Sequence, residues 1–126
     1  MADGAGRAAV TAAEFWQRLD ELVRSSTVVI DRPAGSRHPR YPEFTYPFDY
    51  GYLAATRAAD GDGIDVWRCR PAADDGRVTA VVVNVDLAQH DAELKLLLNC
   101  TPDEAEQIVA LHNVGRQSAI LIMRPA

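Results

Sequence analysis

Three aspartates fall within six residues, Asp60, Asp62 and Asp65, with Gly61 and Gly63 between them. Carboxylates at that density repel one another and cannot be packed unpaired into an apolar interior. The segment must lie at a surface or around a cation, and hard oxygen ligands suit magnesium or calcium. A calcium EF-hand loop is excluded by position. That pattern asks for Asp or Asn at Ile64, Gly at Asp65 and Glu at Pro71. The plain alternative is a solvated acidic loop.

The rest of the chain sets the frame. At 126 residues it suits one domain, expected over residues 11–126, after a Gly/Ala-rich arm at residues 1–10 expected to be disordered. The net charge of −5 argues against a nucleic-acid partner and does not oppose metal cations. No apolar run reaches the ~20 residues of a membrane span, and the N-terminus lacks a signal-peptide pattern, so no membrane partner is expected. Cys69 and Cys100 are in no metal-ligand spacing; a buried, reduced pair in a cytoplasmic protein is the expectation.

Thr11-Ala12-Ala13-Glu14 and Thr101-Pro102-Asp103-Glu104 read as capping boxes, each opening a helix. Phe15, Leu19, Leu22 and Val23 supply the apolar face of the first helix; Ala105, Ile108, Val109 and Leu111 supply that of the second. Strands are expected at Thr27–Asp31, Ile64–Arg70, Val78–Val85, Leu94–Cys100 and Gln117–Met123, from β-branched and apolar runs between turn residues. The three histidines form no ligand cluster.

Upstream of the aspartates runs Tyr46-Pro47-Phe48-Asp49-Tyr50-Gly51-Tyr52. Taken with Asp60-Gly61-Asp62-Gly63-Ile64-Asp65, this resembles the soluble family I inorganic pyrophosphatases. Their Asp-x-Asp-Pro-x-Asp loop follows a Tyr-Pro-x-x-Tyr-Gly-Tyr run at the same distance, and only the proline differs here, replaced by Gly63. A second match follows: Asp86 and Asp91, after the Val78–Val85 strand, have the spacing of two metal-binding aspartates in the family.

The resemblance implies magnesium-dependent hydrolysis of pyrophosphate. Asp60, Asp65, Asp86 and Asp91 would hold metal, Asp31 would stand in for a more distant glutamate, and Asp62 would be the general base. Arg40, in place of a family lysine, and Tyr50 would bind phosphate, with Lys95 as a further candidate two residues beyond the family's lysine position, which is Glu93. Glu43 is a weaker candidate, and Arg116 stands near a family Tyr-Lys pair that this chain lacks. A hairpin bearing a phosphate-binding arginine is missing after Glu43.

The implied fold is mainly β with flanking helices, an OB-like five-stranded antiparallel barrel of the pyrophosphatase type, in a homo-oligomer; an open three- or four-stranded α+β sheet is the fallback. Because several family cations are absent, two alternatives stay open. One is a non-catalytic relative that binds metal or a phosphorylated ligand, and the other is an enzyme for a different phosphate substrate.

Overall fold

The computed structural model describes residues 11–58, 61–71 and 77–126. The expected N-terminal arm and Asp60 lie outside them. Helix α1 (Ala12–Arg24) opens where the first cap is expected, with the Thr11 side chain accepting from the Glu14 backbone N–H. Strands β1 (Thr27–Arg32), β2 (Asp49–Ala54), β3 (Ile64–Arg68), β4 (Val78–Asp86) and β5 (Asp91–Leu98) follow. Helix α2 (Pro102–Leu111) then starts with a complete capping box between Thr101 and Glu104, and β6 (Gln117–Met123) closes the order.

The six strands form one sheet in the order β1-β2-β3-β5-β4-β6. All neighbours are antiparallel except β3 and β5, which run parallel. This corrects the expected five-stranded antiparallel barrel: the sheet is mixed, and β1 and β6 remain its edges. The physical reason is that each face has its own cover. On one face Trp16, Leu19 and Val23 of α1 pack on Leu53, Val66, Val81, Leu96 and Leu98. On the other, Ala105 and Ile108 of α2 pack with Trp67, Ala80, Val82 and Leu97. Each helix buries part of one face, so the sheet shields a core without closing on itself, while Val83, Val85, Leu94, Ile120 and Ile122 stay exposed on the α1 side. Each fully buried leucine of this core contributes roughly 1.5–3 kcal/mol.

Two sequence expectations shift. The buried face of α1 is centred on Trp16 rather than Phe15, which is left exposed. The tyrosine-rich run forms β2, and there Gly51 is required by close approach: a Cβ would run into the Val29 carbonyl of β1.

Parallel pairing of β3 and β5 also brings Cys69 and Cys100 to a Cα–Cα distance of 5.0 Å, where they form a disulfide. This corrects the expectation of two reduced thiols. The pairing is hidden in the sequence because the two cysteines are 31 residues apart and meet only through the register of non-consecutive strands.

Candidate active site

Strand alternation places one row of polar residues on the α2 side of the sheet. On β5 these are Asp91, Glu93 and Lys95, at alternate positions; opposite them on β4 stand Asp86, Asn84 and Val82. Asp65 of β3 and Tyr50 of β2 belong to the same face, since Val66 and Leu53 point to α1. The β4–β5 register runs unbroken from Asp86↔Asp91 to Ala80↔Leu97. Lys95 therefore shares the face of Glu93, one pleat further on, without any insertion between them.

Four of these side chains form a connected cluster. The Tyr50 hydroxyl donates to Asp65 Oδ2 at 2.7 Å. Lys95 Nζ donates to the Tyr50 oxygen and to Asp65 Oδ2, both at 2.8 Å, and to Glu93 Oε2 at 3.1 Å. Lys95 is only 5 % exposed, so its charge is satisfied almost wholly by these partners. Burial opposes the ammonium, yet Tyr50 and Asp65 more than offset it and hold Lys95 above the ordinary lysine range. Burial pushes the Tyr50 phenol up, with Lys95 opposing and Asp65 adding to the shift. At neutral pH the pair is ammonium and phenol.

The other expected residues are placed as follows. Asp86 and Asp91 face each other across the β4–β5 turn, and Asp86 Oδ1 accepts from the backbone N–H groups of Ala88 (2.9 Å) and Gln89 (3.1 Å). Asp91 lies two pleats, about 13 Å, from Lys95 along β5. Asp62 is exposed in the turn before β3. Asp31 is exposed at a bulge in β1, so Arg32 takes the place opposite Tyr50. Arg40 and Glu43 are exposed in the β1–β2 loop, which closes on itself through a bridge between Arg37 and Thr45. Asp49 is structural, bonded to the Ala34 backbone N–H and to Arg68.

Beside the cluster a cleft of about 680 Å³ opens between the β1–β2 loop and the segment joining α2 to β6. Tyr50, Trp67 and Asp86 are among the residues that line it. The sequence reading missed three of its residues. Arg32 donates from Nη1 to the Tyr46 hydroxyl at 2.9 Å and presents a cation to the cleft. His38 and His112 line opposite sides, and His112 Nε2 accepts from the Trp67 indole at 3.1 Å. No motif marks them. Arg32 could have been found only by foreseeing the bulge at Asp31, which turns its side chain.

Burial, followed by the nearby Lys95 charge, lowers the His112 pKa to about 4. Its neutral form is the one that accepts from Trp67. Because the folded state holds this proton less tightly than the unfolded chain does, stability falls as pH drops from about 6.5 towards 4, by up to about 3 kcal/mol. Urea midpoints at pH 7 and pH 4 should show this loss in the wild type. His112→Gln, which can still accept from the indole, should show a clearly smaller one; equal losses would assign the decline to other groups.

Magnesium is the ion to test against this donor set. Asp65, Asp86, Asp91 and Glu93 are hard oxygen donors on one face, and among the described residues the buried Asn84 Oδ1 between them finds no hydrogen-bond partner. Oxygen donors of this kind are ones that magnesium takes. Among the described residues, however, no three carboxylate, His or Cys groups converge on one point, and Lys95 already engages two of the carboxylates.

Solved structures of similar fold include inorganic pyrophosphatases. The enzyme from Neisseria gonorrhoeae superposes with a TM-score of 0.55 at 22 % identity, over 77 % of this chain and 81 % of that one. The fold is pyrophosphatase-like. The inorganic pyrophosphatase of Helicobacter pylori gives a TM-score of 0.56 at 15 % identity, covering 79 % and 85 %. That of Coxiella burnetii gives 0.53 at 17 %, covering 75 % and 81 %. No protein-family model and no curated protein matches the sequence. Among the described residues, no helix is long and apolar enough to cross a membrane.

Proposed function

We propose that this protein hydrolyses a phosphoanhydride bond with magnesium, inorganic pyrophosphate being the simplest substrate. The observation that carries the reading is the single row of Asp86, Asp91, Glu93, Lys95, Asp65 and Tyr50 on one face of a pyrophosphatase-like sheet, beside a cleft. Asp65, Asp86 and Asp91, with Asp60, are the residues to hold the metal, and Asp31 stands further out. Bound magnesium supplies charge neutralisation and a water acidic enough to react near neutral pH. Asp62, exposed in the turn before β3, would serve as the general base. Tyr50, protonated throughout the ordinary pH range, orients Asp65 and borders the cleft where phosphate enters. Arg32 provides the buried-side cation for phosphate, a role that Arg40 complements from the exposed loop.

The test is phosphate release, in millimolar magnesium, from pyrophosphate and from a nucleoside diphosphate. Asp62→Asn should lower turnover about a hundredfold with little change in magnesium affinity, as expected of a general base outside the metal shell. Arg32→Ala should lower kcat/KM about tenfold, the loss of one charge-assisted contact. If neither compound is hydrolysed by the wild type, the hydrolase reading fails. One observation favours the non-catalytic alternative: Lys95 already neutralises Asp65 and Glu93. Magnesium binding without hydrolysis would select it.

A further inference from the structure

The cleft beside the carboxylate row is larger and more aromatic than an inorganic diphosphate requires. The nine non-hydrogen atoms of pyrophosphate, at roughly 30 Å³ each, fill less than half of its 680 Å³. One wall is a group of rings in mutual contact: His38 lies 5.0 Å from Tyr41, 6.5 Å from Phe44 and 6.1 Å from Tyr46, centroid to centroid. Tyr41 is 52 % exposed, and across the cleft Val114 is 58 % exposed. Apolar surface left facing a cleft has nothing to offer a bare polyanion, and it suits a flat organic group. Arg32, whose guanidinium carbon lies 5.9 Å from the Tyr46 ring centroid, puts a cation beside the rings at the cleft.

We propose that the substrate is an organic diphosphate carrying a planar aromatic group, by chemical class a nucleoside diphosphate, with its base against Tyr41 and its phosphates towards Arg32 and the carboxylate row. This rests on the hydrolase reading of the same site and names its substrate class. His38 contributes one directed contact. Its Nδ1 accepts from the backbone N–H groups of Arg40 and Tyr41, at 3.0 and 3.1 Å, which leaves Nε2 to carry the proton and donate to an acceptor on the base. In the reaction the water oxygen bonds to the terminal phosphorus and the bridging P–O bond breaks. The bridging oxygen leaves on the nucleoside monophosphate, the terminal group becomes inorganic phosphate, and one proton passes to solvent.

Calorimetry with adenosine monophosphate and with inorganic phosphate, both in magnesium, separates the base contact from the phosphate contact. The monophosphate should bind at least tenfold more tightly than phosphate, and Tyr41→Ala should remove most of that difference while leaving phosphate binding unchanged. Because Tyr41 is half exposed, its removal should leave the thermal midpoint nearly unmoved, which guards against a folding artefact. In parallel, phosphate release from adenosine diphosphate should exceed that from pyrophosphate and fall about tenfold in Tyr41→Ala. Equal affinity for the two ligands, or no effect of Tyr41→Ala, overturns the inference even if pyrophosphate is hydrolysed. Tyr41-dependent binding of the monophosphate without hydrolysis of either diphosphate supports the ligand class and defeats the hydrolytic reading instead.

Discussion

Lys95→Met should lose about 3 kcal/mol of stability in magnesium-free buffer and regain most of it when magnesium is added. The loss follows from the cluster geometry. The ammonium bonds Asp65 and Glu93 at 2.8 and 3.1 Å while almost fully buried, so its removal leaves two neighbouring carboxylates without their counter-charge. Breaking a buried pair from one side costs about 3–5 kcal/mol, and the lower figure applies because Asp65 and Glu93 both reach solvent. Methionine preserves most of the side-chain volume, so a cavity adds little. The recovery follows from the donor chemistry: with the ammonium gone, Asp65 and Glu93 are free to take a divalent cation. A ligand at a hundred times its dissociation constant then stabilises the folded state by about 2.7 kcal/mol. Urea midpoints for both proteins, with and without magnesium, provide the measurement. A variant as stable as the wild type would show that the cluster is not stabilised by Lys95. An equal magnesium effect on both proteins would show that ammonium and metal do not compete for the same carboxylates.

The disulfide carries an effect of similar size. Closing a loop across 31 residues restricts the unfolded chain by roughly 3–4 kcal/mol in the chain-entropy model. The double variant Cys69→Ala, Cys100→Ala should therefore melt on the order of 10 °C lower than the oxidised wild type. Reductant should lower the wild-type midpoint towards that of the variant and leave the variant unmoved. Local consequences should appear first at the start of α2. Cys100 immediately precedes its cap, and Arg70, next to Cys69, ties the same region through Glu104 at 2.7 Å and the Asn99 carbonyl at 2.6 Å. Hydrogen exchange should accelerate there before it does in β4, where Ala80, Val81 and Val82 are fully buried. Two free thiols titrated in the native, air-oxidised protein would remove the basis of this expectation.

Local chemistry made much of the chain legible without coordinates. Thr11 and Thr101 begin helices because each offers a side-chain oxygen to an otherwise unpaired N–H three residues on, and neither cap depends on the rest of the fold. The run Val78–Val85 could be read as a strand because its near-continuous, mostly β-branched residues suit a sheet position buried on both faces, which holds from Val78 to Val82 and ends at the exposed Val83 and Val85. Period-two geometry likewise put Glu93 and Lys95 on one face before their partners were known.

What those side chains meet was decided by tertiary structure. Lys95 binds Asp65 because β5 inserts between β3 and β4, a strand order that no local pattern encodes. The same insertion joins Cys69 to Cys100. A single extra residue at Asp31 turned Arg32 to the place opposite Tyr50, exchanging an expected carboxylate for a cation. The sheet stayed open with α1 and α2 each packed on part of an opposite face, and amphipathicity alone gives each helix an apolar stripe without saying which surface receives it.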